Sequence, residues 1–139
     1  MNYAAELTKF AHLLEQKGLV TGLEGNASVI DRETGLTYVT PSRRMKLLLT
    51  EDMIAVMDAA GSQVGGSVRR SSEYLLHEAV YKARPDVGAV IHCHCPYLTA
   101  YAIRYEDFVV PENCSLHEVC QRVLDAAVAD SPIDRKSVV

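Results

Sequence analysis

SSEYLLHEAVYKARPDVGAVIHCHCPYLTAYAI, residues 71–103, is the stretch whose reading decides the fold. Its first part carries apolar residues at Leu75, Leu76, Ala79, Val80 and Ala83. That spacing predicts a helix over 73–84, started by Ser71 or Ser72 as N-cap and stopped before Pro85. Val87-Gly88-Ala89-Val90-Ile91-His92-Cys93 follows, a short apolar run between Pro85-Asp86 and Pro96, as a buried strand should be. Side chains alternate across a strand, so His92 and His94 are expected on one face and Cys93 and Cys95 on the other. Two imidazoles placed in this way can share a divalent ion such as zinc. A catalytic site normally uses three protein ligands and keeps one position open. The same H-x-H also suits histidines that cap a strand or bond within the core. Glu73, in the first turn of the helix, suits a carboxylate facing the same cavity, and equally a solvated partner of the helix dipole.

Upstream, Tyr3, Leu7, Phe10, Ala11 and Leu14 have the one-faced spacing of an amphipathic helix, with Gly18 as its stop. Ala27-Ser28-Val29-Ile30-Asp31, the turn signal Arg32-Glu33-Thr34-Gly35, and Leu36-Thr37-Tyr38-Val39-Thr40 read together as a β-hairpin closed by Pro41. A basic segment from Arg43 to Leu49 leads to a buried strand over 53–57, and Gly65-Gly66 marks a turn. Downstream, Ser115-Leu116-His117-Glu118 is a capping-box pattern. The helix it opens carries Leu116, Val119, Cys120, Val123, Leu124 and Ala127 on one face, and Lys136 to Val139 begins a further strand. An early hairpin and few helices favour a mixed, largely antiparallel sheet covered by helices, in the α/β class and bordering on α+β.

A chain of 139 residues has the size of one domain, so residues 1–139 are expected to share a single core. With 48% hydrophobic and 23% charged residues, the composition is that of an ordinary globular protein. A net charge of −4 provides no broad cationic field for nucleic acid or anionic lipid, so an anionic ligand must be held locally. No apolar stretch approaches the roughly 18 residues of a membrane span, and the start lacks a signal-peptide pattern. A cytoplasmic location is the simplest expectation. Cys93, Cys95, Cys114 and Cys120 form no C-x-x-C pair, so reduced thiols are expected rather than bridges or a structural zinc.

The run 71–103 closely resembles the central segment of the class II aldolase/adducin family. Two upstream pieces agree in order and spacing: Glu24-Gly25-Asn26-Ala27-Ser28 resembles the family's G-N-x-S turn, and Thr40-Pro41-Ser42 its T-P-S/T loop. The resemblance implies that His92 and His94 bind a divalent metal, usually Zn2+, and that Glu73 is the acid/base residue. It implies further that Gly25, Asn26, Thr40, Ser42, Ser71 and Ser72 line the pocket for a phosphate or equivalent anionic end. Turn amides, hydroxyls and a helix N-terminus together bind such a group without net positive charge. The implied chemistry passes through an enediolate, with the metal as Lewis acid and Glu73 moving a proton at a pKa raised by burial. The implied partners are a small sugar-like anion and further copies of the chain, in a cyclic tetramer.

The family's third metal histidine, in an N-H-G segment, has no counterpart here, so the C-terminal part of the fold is expected to be incomplete. Of the remaining histidines, His117 lies off the apolar stripe of its helix, His77 sits at i+4 from Glu73 in a position suited to packing, and His12 lies on the polar side of the first helix. Arg43 replaces the glycine usual after T-P-S. An aldolase-type lyase on a sugar phosphate is the leading expectation. Its alternatives are an epimerase, dehydratase or decarboxylase of the same family, and a non-enzymatic, adducin-like interaction module.

Overall fold

Helix α1, Tyr3–Gln16, begins at Asn2, whose side chain accepts the Ala5 N–H at 3.1 Å and so satisfies one of the helix's free amide donors. Leu7 and Ala11 are buried and Tyr3 and Leu14 half-buried, as the spacing predicts, whereas Phe10 is 54% exposed. The structure is a computed structural model and describes residues 1–94. The expected helix from Leu116 and the strand at 136–139 lie outside the described residues.

Strands β1, Asn26–Ile30, and β2, Thr37–Val39, form the expected hairpin, with Ser28 opposite Val39 and Ile30 opposite Thr37. Asp31 organises its turn: its side chain accepts from Glu33 N–H and the Thr34 hydroxyl, and its carbonyl accepts from Gly35, which lies at φ 74°. The chain then makes two single 3-10 turns, Lys46–Leu48 and Glu51–Met53, before β3, Ala55–Met57. The strand expected over 53–57 is therefore shorter at its start. Gln63–Gly65 forms strand β4, which the sequence reading did not anticipate beyond the turn at Gly65-Gly66, helix α2 spans Tyr74–Ala83 and β5 spans Ala89–His92.

The five strands are ordered β4-β3-β2-β1-β5, and every pairing among them is antiparallel, which bears out the fold class. Period-two alternation gives the sheet two different faces. On one, Ala27 packs with Leu7 and Ala11 of α1 and with Leu49 and Ile54. On the other, Val39, Ala55 and Met57 pack with Tyr74 of α2. By internal contacts the chain divides into two compact units, Met1–Cys93 and His94–Val139. Among the described residues, no helix is long and apolar enough to cross a membrane.

The face that α2 buries differs from the one its apolar spacing predicts. Tyr74, His77 and Tyr81 are buried, while Leu75 and Leu76 are 63% and 48% exposed and Ala79 and Ala83 are also exposed. The reason lies in the sheet beneath, where Ser28 and Thr37 present hydroxyls that aromatic residues with polar tips can bond and aliphatic ones cannot. Ser71 and Ser72 are also not the N-cap. That position falls on Glu73, whose N–H is held by the Ser71 hydroxyl at 3.2 Å.

Candidate active site

The C-terminal end of β5 meets the N-terminal end of β1. His92 pairs in register with Asn26, so their side chains emerge beside one another on the α2 side of the sheet, the side that also carries Ser28. Gly25, immediately before Asn26, lies at φ 74°, where L side chains are strained. A Cβ there would stand 2.5 Å from Val20 Cγ1 and 3.0 Å from the His92 carbonyl oxygen. Glycine is thus required at 25 for both conformation and space. Asn26 is buried, and its Oδ1 has no hydrogen-bond partner among the described residues.

A second group forms where the loop after β2 meets the approach to α2. Thr40 is fully buried, its hydroxyl accepts the Ala27 N–H at 3.1 Å, and its carbonyl accepts the Ser71 N–H at 3.1 Å. Ser42 is half-buried and donates its N–H to the Arg69 carbonyl at 3.0 Å, beside a β-bridge between Pro41 and Arg70. Ser71 is buried, while Ser72 and Glu73 are exposed. Thr40 joins the two groups, because it bonds to Ala27 next to Asn26 and to Ser71 next to Ser72.

His77 holds a position that packing alone does not explain. Its Nδ1 lies 2.6 Å from Ser28 Oγ, which lies 2.7 Å from the Tyr81 hydroxyl. The Tyr81 oxygen also takes a backbone hydrogen bond from Val90. The Ser28 hydroxyl thus links the phenol to the imidazole, and the direction in which this chain of bonds runs sets which His77 nitrogen carries the proton. The Nε2 of His77 is buried and has no partner among the described residues. Burial, and secondarily the charge of His92, lower the His77 pKa to about 4, so the ring is neutral at pH 7. Asn26 Oδ1 and His77 Nε2, two buried polar atoms without partners among the described residues, thus lie on the His92 side of the sheet. The sequence signal for this face was Tyr74, His77 and Tyr81, aromatic rings at i, i+3 and i+7.

Strand β5 ends at His92, earlier than the 87–93 span expected, so the alternation that paired His92 with His94 does not extend to His94. His92 is half-buried, whereas His94 is exposed and opens the second unit. Imidazole is a donor that zinc favours, so these residues fit such an ion by type. By number, the described residues contain no group of three or more His, Cys, Asp or Glu side chains arranged to hold a metal. Glu73 is exposed, because Tyr74 takes the inward position at the helix start. His12, left without a role by the sequence, bonds through Nε2 to the Leu49 carbonyl at 3.0 Å. His117 lies outside the described residues. Cys93 is a free, exposed thiol.

The Class II Aldolase and Adducin N-terminal domain family matches residues 5–136. An L-fuculose phosphate aldolase of Methanococcus vannielii is 36% identical over 98 residues, 70% of this chain and 52% of that protein. The L-ribulose-5-phosphate 4-epimerase UlaF of Salmonella paratyphi C is 40% identical over 89 residues, 64% of this chain and 39% of that protein. Among solved structures, an L-fuculose 1-phosphate aldolase superposes with a TM-score of 0.70 at 38% identity, covering 75% of this chain and 49% of that one. YgbL of Escherichia coli, a putative aldolase/epimerase/decarboxylase, gives 0.64 at 30% identity, covering 70% and 46%. The chain spans about half the length of these relatives, or less. With its antiparallel sheet, the glycine-asparagine turn against His92, and a family match over most of its length, the chain belongs to the class II aldolase and adducin family.

Proposed function

We propose that the chain carries the catalytic half-site of a metal-dependent lyase acting on a small sugar phosphate or related hydroxy-carbonyl compound. The observation that carries this is the convergence of β1, β5 and α2. His92 stands opposite Asn26, and His77, one turn beyond Glu73, lies close enough to His92 for the charge of one ring to act on the other. The first turn of α2 and the end of β5 thus address a shared region, which suits a carboxylate and an imidazole working on one substrate.

His92 and His94 would hold the divalent ion, zinc by donor preference. Such an ion, when bound, supplies Lewis acidity toward the substrate's oxygens. Glu73, accessible at the entry to α2, withdraws or returns the proton at the reacting carbon. Ser42, Ser71 and Ser72, at the start of α2 where the helix dipole favours an anion, orient the anionic end. The fuculose-phosphate aldolases and the ribulose-phosphate epimerase among the relatives support a phosphorylated sugar as substrate class. They also support epimerisation as the nearest alternative to carbon-carbon cleavage. The remaining elements of this reading are a homo-oligomer and a reducing, cytoplasmic setting, which the free Cys93 thiol suits.

The test is a paired measurement of metal content and turnover. Stoichiometric zinc is expected in the parent chain and lost in His92→Ala, and cleavage of sugar phosphates is expected to disappear in Glu73→Gln with the metal retained. An undiminished metal load in His92→Ala would remove the metal site. Metal-free protein of normal stability, inert toward sugar phosphates after zinc addition, would favour the second reading, an adducin-like interaction module. That reading draws on the absence of a third ligand among the described residues.

A further inference from the structure

Two segments, 40–44 and 69–72, are locked together by backbone contacts. Ser42 N–H donates to Arg69 O at 3.0 Å, Ser71 N–H donates to Thr40 O at 3.1 Å, and Pro41 bridges Arg70. The two joined segments carry arginines 43, 44, 69 and 70 together with Ser42, Ser71 and Ser72, in a chain whose net charge is −4. Arg70 is already engaged, with Nη1 3.0 Å from the Ser71 carbonyl and the guanidinium 4.9 Å from the Tyr74 ring centre. Arg43, Arg44 and Arg69 are exposed, and among the described residues no carboxylate pairs with any of them.

Arg43 differs from its neighbours in its backbone. It lies at φ 53° and is the single non-glycine residue at positive φ among the described residues. An arginine gains nothing conformationally in that region, where glycine is unstrained. A side chain kept at such a cost, exposed, cationic and directly after Ser42, has a use that glycine cannot serve. Guanidinium matches the oxygens of a phosphate dianion in two parallel hydrogen bonds, a geometry that neither hydroxyls nor a point charge provide.

We propose that Arg43 is a specificity residue for the anionic end of the substrate, adding a bidentate contact that selects a phosphate dianion over an uncharged or singly charged group. The inference rests on the reading of this region as the anion-holding part of the site, and it assigns the charge preference to one residue.

The probe is inorganic phosphate, titrated calorimetrically into the full chain, the parent beside Arg43→Gly and Arg43→Lys. Arg43→Gly relieves the backbone strain, so it is expected to melt higher than the parent while binding phosphate about tenfold more weakly, with a flatter dependence on ionic strength. Arg43→Lys, which keeps the charge and loses the fork, is expected to fall between them. Equal phosphate affinity in parent and Arg43→Gly overturns the role of Arg43 and leaves the proposed reaction standing, since that reaction is judged by Glu73-dependent turnover. A parent chain that takes up no phosphate at millimolar concentration overturns both the role of Arg43 and the anion site beneath it.

Discussion

Gly25 and His92 are packed backbone against backbone, so closely that a Cβ on Gly25 would come within 3.0 Å of the His92 carbonyl oxygen while striking Val20 at 2.5 Å. The start of β1 and the end of β5 are therefore held in register by a residue with no side chain. Gly25→Ala imposes two penalties, a left-handed φ for alanine and overpacking against Val20, which together cost about 2–4 kcal/mol. Denaturant unfolding is expected to show this loss, and under the proposed metal role of His92 the variant is expected to bind zinc more weakly than the parent. A stability within about 0.5 kcal/mol of the parent, the range of ordinary surface changes, would show that Val20 and the strand end yield freely.

The buried His77 makes stability depend on pH in a definite direction. Its folded pKa is lowered to about 4 from 6.5, chiefly by burial and then by the charge of His92. Between those values the unfolded chain takes up a proton that the folded chain refuses, so unfolding is favoured as pH falls. The contribution is fully present above pH 6.5, declines through the window down to about 4, and amounts to about 3 kcal/mol in all. Urea denaturation at a series of pH values is expected to show that decline, and His77→Gln, which keeps a polar partner for Ser28, is expected to flatten it. A slope unchanged in His77→Gln would assign the acid sensitivity to other groups.

How much of this was legible in the sequence depends on which physical signal each element carries. The hairpin was legible because Asp31 and Gly35 have turn chemistry that operates locally. The bounds of α2 were legible to within a residue or two because Pro85 stops a helix whatever surrounds it. The buried face of α2 was not, since Leu75 and Leu76 outrank Tyr74, His77 and Tyr81 on any apolar scale, and only the hydroxyls of Ser28 and Thr37 across the layer decide between them. Strand β4 is three residues long with an exposed Val64, too short to show any period. The candidate site divides in the same way. Gly25, Asn26 and His92 lie together in keeping with the family resemblance of their motifs, whereas the exposure of Glu73 follows from which residue of the first helical turn points inward, a tertiary outcome.

Arg32, in the hairpin turn, fixes the far end of α2. Its Nη2 lies 2.8 Å from the Val87 carbonyl, 3.3 Å from that of Arg84 and 3.4 Å from that of Tyr81, with the guanidinium 5.6 Å from the Tyr81 ring centre. Pro85 has no N–H to give the Tyr81 carbonyl, the Arg84 carbonyl also accepts the Val87 N–H at 3.0 Å, and a cation at a helix C-terminus also meets its dipole. Arg32→Ala is expected to cost about 1–2 kcal/mol, and Arg32→Lys to recover less than half of that because an ammonium lacks the planar stacking surface. Faster amide exchange in 84–88 than in β1 would locate the loss at this joint, whereas an even loss across the sheet would argue against a local cap.

Thr40 joins the strand that carries Asn26 to the segment that carries Ser71, and its hydroxyl is fully buried. Valine has the same shape without the oxygen, so Thr40→Val removes the acceptor of the Ala27 N–H and leaves that donor buried, at a cost of about 1–3 kcal/mol. Thr40→Ser keeps the oxygen and loses one methyl group, which costs about 1 kcal/mol. The order parent, serine, valine is therefore expected in urea denaturation. Because the same residue accepts the Ser71 N–H through its main chain, the valine variant is also expected to bind inorganic phosphate more weakly, while the serine variant binds it nearly as the parent does. Equal stability of the valine and serine variants would mean that the Ala27 N–H finds another acceptor and that the two halves of the site are not joined through this hydroxyl.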